Sequence, residues 1–253
     1  MSKSGQEKVL WRRIAVAAWW LGVAALGTAI GAATGTKWQW WSYPEGFVLL
    51  RWAVYGAMAA VFGAVVAAAG ALSRRQWRRV RWVVLGAWVA AAPVLATTGW
   101  WLYRAKVYPA IHDIATDTVQ PPQFDKIAVL RRAGDHPTDY EGEPVARLQR
   151  QAYPDIRPLE LDLPPAETYL RVLETVARLG WEVAATDPAT MKVEATDQTF
   201  WFGFKDDIVI QVRLAPGGSR VDMRSASRVG RSDLGVNAER IRHFLGVIEA
   251  YKK

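Results

Sequence analysis

Three long apolar runs, Ile14 to Gly35, Phe47 to Leu72 and Val80 to Leu102, dominate the first 106 residues and are almost free of charge. At 1.5 Å per helical residue each run is about long enough to cross a hydrocarbon core of ~30 Å, so the pattern predicts three transmembrane helices. Beyond Lys106 the pattern changes. From Val107 to Asp155 the apolar residues keep no period, apart from Val145 to Gln151, which fits a short helix. A stretch this long without regular structure wraps a domain or carries function. Alternation returns at Ile156 to Leu163, a predicted strand. Pro164 and Pro165 then open a helix in which Tyr169, Val172, Leu173, Val176 and Leu179 recur at helical spacing, ended by Gly180. Trp181 to Ala185, Met191 to Thr196, Asp207 to Leu214 and Arg220 to Ser225 predict a meander, with turns at Asp187-Pro188, Lys205-Asp206 and Pro216-Gly217-Gly218. Ile208, Ile210, Val212 and Leu214 share one face of their strand, and Val209, Gln211 and Arg213 share the other. This predicts a sheet with one buried face and one largely wet face. A closing helix over Asn237 to Tyr251 carries Ala238, Ile241, Phe244, Leu245 and Ile248 on one face, with Asn237 as its N-cap. The expected architecture is a transmembrane three-helix bundle over 1–106 and an α+β domain over 107–253. That domain reads β-α-β-β-β-β-α, a two-layer sandwich of antiparallel sheet and two helices.

Charge divides the chain at the same place. Up to Lys106, 13 Lys and Arg face only Glu7 and Glu45, a net +11, whereas the rest carries −3; twelve of the 14 Trp also fall in the first part. The basic excess lies beside apolar spans, so it argues for a membrane and not for nucleic acid. Lys3, Lys8, Arg12 and Arg13 flank the first span, and Arg74, Arg75, Arg78, Arg79 and Arg81 fill the second connection, against Lys37 and Glu45 in the first. By the positive-inside rule the N-terminus and second connection are cytoplasmic, and three spans then place the C-terminal domain across the membrane, which for a bacterial inner membrane is the periplasm. Trp11, Trp77 and Trp82 mark one interface, and Trp38, Trp40, Trp41, Trp100 and Trp101 the other. The first span is longer than a signal-peptide core and two more follow it, which favours an anchor over a cleaved leader. Gly27, Gly31 and Gly35, and Gly56, Gly63 and Gly70, form small-residue faces that serve packing within the bundle or docking of another membrane protein. Arg51 sits near a span end as an interface anchor, and no other ionisable residue lies well inside a span, which argues against a proton-coupled transporter.

The densest polar segment, Arg224 to Arg242, reads RSASRVGRSDLGVNAERIR and joins the last strand to the last helix. Arg224, Arg228, Arg231 and Arg240, the hydroxyls of Ser225, Ser227 and Ser232, and the polar groups of Asp233 and Asn237 would together suit a carboxylate, a phosphate or a lipid head group. The competing reading pairs these arginines with the protein's own Asp206, Asp207 and Asp222. His112, Asp113 and Asp117 form a second cluster, which either completes the anion site, forms part of a metal site or simply bonds its own turns. A serine hydrolase would need one of the three serines with His112 or His243 as base, yet no G-x-S-x-G elbow is present. Neither a P-loop nor a G-x-G-x-x-G fingerprint occurs, and no Cys is present, so the sequence implies no cofactor and no thiol-ligated metal.

The segments IHDIATDTVQPPQF from Ile111, AYPDI from Ala152, GWEV from Gly180, FGFKDD from Phe202 and VDMRSASRVGRSDLGVNAERI from Val221 resemble the bacterial domain-of-unknown-function family numbered 1499. The resemblance covers essentially all of the chain after Lys106 and leaves the three spans as an addition. It implies an exported or membrane-anchored protein and supports the choice of site residues, but it lends no reaction. Three expectations result. The first is an inner-membrane protein whose periplasmic domain binds an anionic ligand or partner through the Arg/Ser segment, so that Arg228→Ala weakens binding without unfolding. The second is an accessory or assembly subunit docked through its glycine faces, and the third, weakest, is a periplasmic serine hydrolase.

Overall fold

A helix that meets lipid on its outside gains nothing by hiding large apolar side chains, and the first part of the chain is built accordingly. The computed structural model describes residues 3–250, with side chains from Val9 onward; the side chains of Lys3, Glu7 and Lys8, and Tyr251 at the end of the last predicted helix, lie outside the described residues. Helices α1 (Lys3–Lys37), α2 (Tyr43–Ser73) and α3 (Trp77–Val107) each carry a span of 29 to 31 residues with mean hydropathy from 1.6 to 1.9, long and apolar enough to cross a membrane. The buried residues of α2 are Gly46 and six alanines, Ala53 through Ala71, while Trp52, Phe62, Trp82 and Val89 point outward. Small contact residues bring the helix backbones together: a Cβ added at Gly56 or Gly63 would crowd Ala25 or Ala18 of α1, and one at Gly70 would meet the Trp11 ring. At the start of α2 the Glu45 carboxylate accepts from the Ser42 backbone N–H at 2.7 Å and from its hydroxyl at 2.8 Å.

The chain divides into two compact units, one reaching to Tyr103 and including Phe200–Gly203, the other formed by Arg104–Thr199 and the chain from Phe204 on. The second unit is α+β. Its strands β1 (Asp113–Ala115), β2 (Leu159–Leu161), β3 (Glu182–Asp187), β4 (Lys192–Gln198), β5 (Lys205–Ala215) and β6 (Gly218–Ser227) form one antiparallel sheet. The order is β1-β6-β5-β4-β3, with β2 also on β6, so two short strands share the outer edge of β6 end to end. Helices α4 (Lys126–Leu130), α5 (Glu143–Ala152), α6 (Pro165–Arg178) and α7 (Val236–Ala250) complete it. Helices α6 and α7 cover one sheet face, where Val172, Val176, Ile241, Phe244 and Ile248 meet Val193, Ile208, Ile210, Val221 and Met223.

Three expectations need correction here. The sheet has a sixth strand, β1, and the predicted strand from Ile156 shrinks to Leu159–Leu161. The second face is not largely wet: Val209, beside Ala226 of β6, is fully buried beneath Phe124 and Ile127, because the segment after β1 folds back over it, whereas Leu214 on the supposed core face is 82% exposed. Asn237 lies inside α7, and the cap is Asp233, whose carboxylate accepts from the N–H of Gly235 at 2.9 Å and of Asn237 at 2.8 Å. Gly180 does end α6, with φ of +73°.

Candidate functional site

Alternate residues of a strand point to opposite faces of its sheet, and this divides the Arg/Ser segment. Only Arg228 to Gly235 is loop; Arg224 to Ser227 belong to β6, and Asn237, Arg240 and Arg242 to α7. Arg224 and Ala226 therefore face the folded-back segment, while Ser225 and Ser227 face α7. The arginines and serines of the strand end up in two separate networks.

On the first face Arg224 is fully buried, its guanidinium bound side-on by Asp113 with Nε to Oδ1 at 2.9 Å and Nη2 to Oδ2 at 2.7 Å. Two further N–H groups donate to the carbonyls of Thr138 and Pro122, and the planar group lies 4.9 Å from the Phe124 ring centroid and 5.3 Å from that of Tyr140. Tyr140 is itself pushed up to about 12, chiefly by burial and then by the Asp113 charge. Arg228 and Arg131 share Asp207, with contacts of 2.8 to 3.1 Å, and Thr196 also donates to that carboxylate. Further along, Arg220 reaches both Asp222 and Asp117, while the second Asp117 oxygen accepts from the N–H of Val119 and Gln120. On the same face Glu194 accepts from the N–H groups of Asp125, Lys126 and Ile127 and so caps α4 from across the sheet.

The second network lies under α7. Arg240 donates to Asp206 at 2.7 Å, to Asp197 at 2.8 Å and to Asn237 Oδ1. The Ser225 hydroxyl donates to the same Asn237 oxygen at 2.7 Å, and Asn237 Nδ2 donates to Ser227 and to the His112 carbonyl. Burial raises Asp233 to about 6, with the nearby Asp206 adding to that, against the lowering effect of its two backbone N–H donors and of Arg240. The Ser232 hydroxyl donates to the Pro109 carbonyl, so each of the three serines is engaged with a group other than a histidine side chain.

His112 stacks on His136, with ring centroids 3.8 Å apart, and its Nε2 lies 3.0 Å from Glu141. Burial, followed by the neighbouring His136, holds its pKa below the ordinary histidine value. Asp113 and Asp117 belong to different arginines, and among the described residues no group of three His, Asp or Glu is placed to hold a metal ion. The pairing of the segment with Asp206 and Asp207 is as the competing reading names it; Asp222 instead serves Arg220 and Arg213. Neither Asp113 nor Asp197 could be identified as a partner from spacing, because both lie far away in sequence.

Arg231 is different. It is exposed, and its guanidinium has no partner among the described residues. The loop below it is fixed: the His136 N–H donates to the Arg228 carbonyl at 2.7 Å, His136 Nε2 lies 3.0 Å from the Gly230 carbonyl, and the Asp233 N–H donates to the Ile111 carbonyl. Gly230, Leu234 and Gly235 all take positive φ, which lets the chain turn tightly enough to make those contacts.

Among curated proteins, none matches the chain. A family profile does match, over residues 113–247, and its span begins at the carboxylate that holds Arg224 and ends within α7. That span is more than half of the chain, and the protein therefore belongs to the family described as protein of unknown function, DUF1499.

Proposed function

We propose that this is a bacterial inner-membrane protein whose C-terminal domain lies in the periplasm and meets an anionic ligand or partner at the rim of the Arg228–Gly235 loop, through Arg231. The observation that carries this reading is the exposed, unpaired guanidinium of Arg231 on a loop whose other arginine, Arg228, is held by Asp207 and whose acid, Asp233, accepts from backbone N–H groups. A cation on an immobilised loop loses little freedom when it binds, and a flat surface site suits a carboxylate or phosphate on a larger molecule. In this reading Arg224, Ser225, Ser227, Arg228, Ser232, Asp233, Asn237, Arg240, Asp113 and Asp117 hold the loop in shape, and His112 supports it through His136. Periplasmic placement rests on the distribution of Lys and Arg about the spans.

One observation favours docking within the membrane as a second reading. A Cβ at Gly27 or Gly31 would have nothing within 4 Å, whereas Gly35 is filled by Trp41. Two small residues of α1 are thus left unused by the bundle's own packing. Native mass spectrometry of the full-length protein, released gently from its membrane, tests both readings. A retained anion or acidic protein that is lost in Arg231→Ala supports the first. A retained protein that survives that change and is lost in Gly27→Leu/Gly31→Leu supports the second and overturns the first, as does a ligand indifferent to Arg231.

A further inference from the structure

At the opposite end of the spans from the C-terminal domain's connection, a groove of about 770 Å³ opens between α1 and the first turn of α3. Arg12 and Arg13 of α1 and Arg79 of α3 line it, with Val9 a turn before the α1 arginines and Val16 and Ala17 a turn further into the span, where they form its apolar wall. The α1 residues recur at intervals of three and four, so they occupy one helix face. We infer that this groove is a binding site for one anionic glycerophospholipid, with its phosphate between the three guanidinium groups and its acyl chains along the apolar wall.

No described carboxylate offsets this charge. None of the three arginines has a carboxylate partner among the described residues, and the sequence holds no acid from Val9 to Pro44 or from Gly46 to His112. The first turn of α3 contains no acid, so the positive end of its dipole adds to the field of the arginines. Position favours a lipid over a free phosphate. Trp11, Trp77 and Trp82 flank the same helix ends, as aromatic residues do at the head-group level, and an apolar wall beside a cationic head suits an amphiphile. The groove volume lies within the ordinary range for ligand sites.

The test is native mass spectrometry of the full-length protein in mild detergent, titrated with phosphatidylglycerol or cardiolipin against phosphatidylcholine, and separately with inorganic phosphate. The expected result is one anionic lipid retained in preference to the zwitterionic one by on the order of tenfold or more, given about fivefold per arginine. Arg12→Gln/Arg13→Gln/Arg79→Gln should bring that preference close to one, while Arg74→Gln/Arg75→Gln/Arg78→Gln, which removes the same charge outside the groove, should keep it. Equal loss in both variants, or no head-group preference in the parent, overturns the proposal. Saturation by inorganic phosphate at comparable concentration, abolished in the first variant, overturns the lipid assignment in favour of a free anion.

Discussion

The two compact units solve opposite problems with opposite side chains. The membrane bundle hides alanine and glycine and shows tryptophan, phenylalanine and valine to its surroundings. The C-terminal domain hides large aliphatic and aromatic residues against its two helices, and its bulkiest fully buried side chain is an arginine. In lipid the apolar exterior is already satisfied, so helices cohere by close approach; in water the core must exclude solvent, and any charge taken inside must be matched almost atom for atom. The comparison teaches where each unit is fragile: the bundle to added volume, the domain to lost charge.

The largest expected effect is therefore at Arg224. Arg224→Met leaves Asp113 charged and unpaired in the interior, which should cost about 3 to 5 kcal/mol. In hydrogen exchange of the full-length protein this appears as opening of β5 and β6 amides increased a hundredfold or more. Adding Asp113→Ala should recover most of the loss, because two apolar residues then replace the pair. If the double variant is as open as the single, the pairing is not what holds this face closed.

Next comes volume in the bundle. Gly70→Leu drives a side chain into the Trp11 ring and should cost roughly 1 to 3 kcal/mol, whereas Gly27→Leu enters open space and should stay within about 0.5 kcal/mol. Thermal unfolding in matched micelles compares them. Equal destabilisation would erase the distinction between packed and free glycines of the spans.

The smallest effect is a pH dependence. With its folded pKa raised to about 6, Asp233 favours folding while protonated, and that contribution fades as pH rises from about 4 to 6. As much as roughly 3 kcal/mol is at stake. His112 acts in the other direction, since a lowered pKa removes stability as pH falls below about 6.5. The Asp233 part is isolated by comparison with Asp233→Asn, whose stability relative to the parent should improve between pH 4 and 7. Parallel pH curves for the two proteins would show that Asp233 titrates normally in the fold.

The spans, the α6 and α7 faces and the β4-β5-β6 meander were legible because each has a period long enough to count. Strand β1 was not, because three consecutive buried residues have no alternation to read. Helix α4 was hidden for a different reason: it is only five residues long, and although Asp125 stands at its N-cap position, the carboxylate that accepts from its first N–H groups is Glu194, almost 70 residues away. The Arg/Ser segment was visible as a concentration of chemistry, yet its division between two sheet faces depends on β6 extending to Ser227, two residues beyond the predicted strand. Arg231 stands out only once the other arginines are known to be matched.

Sharing one edge of β6 between β1 and β2 has a consequence in time. Asp113 pairs across the ladder with Ala226 and binds Arg224, so the chain must keep a strand and a carboxylate waiting while about 110 further residues are made. At ordinary synthesis rates that is on the order of 10 s, and pairings so distant in sequence are slow to close. The nascent domain passes through this interval with β1, β2 and the later cover of the second face all lacking their template. Closure of β6 is then the event that converts a collection of segments into a domain.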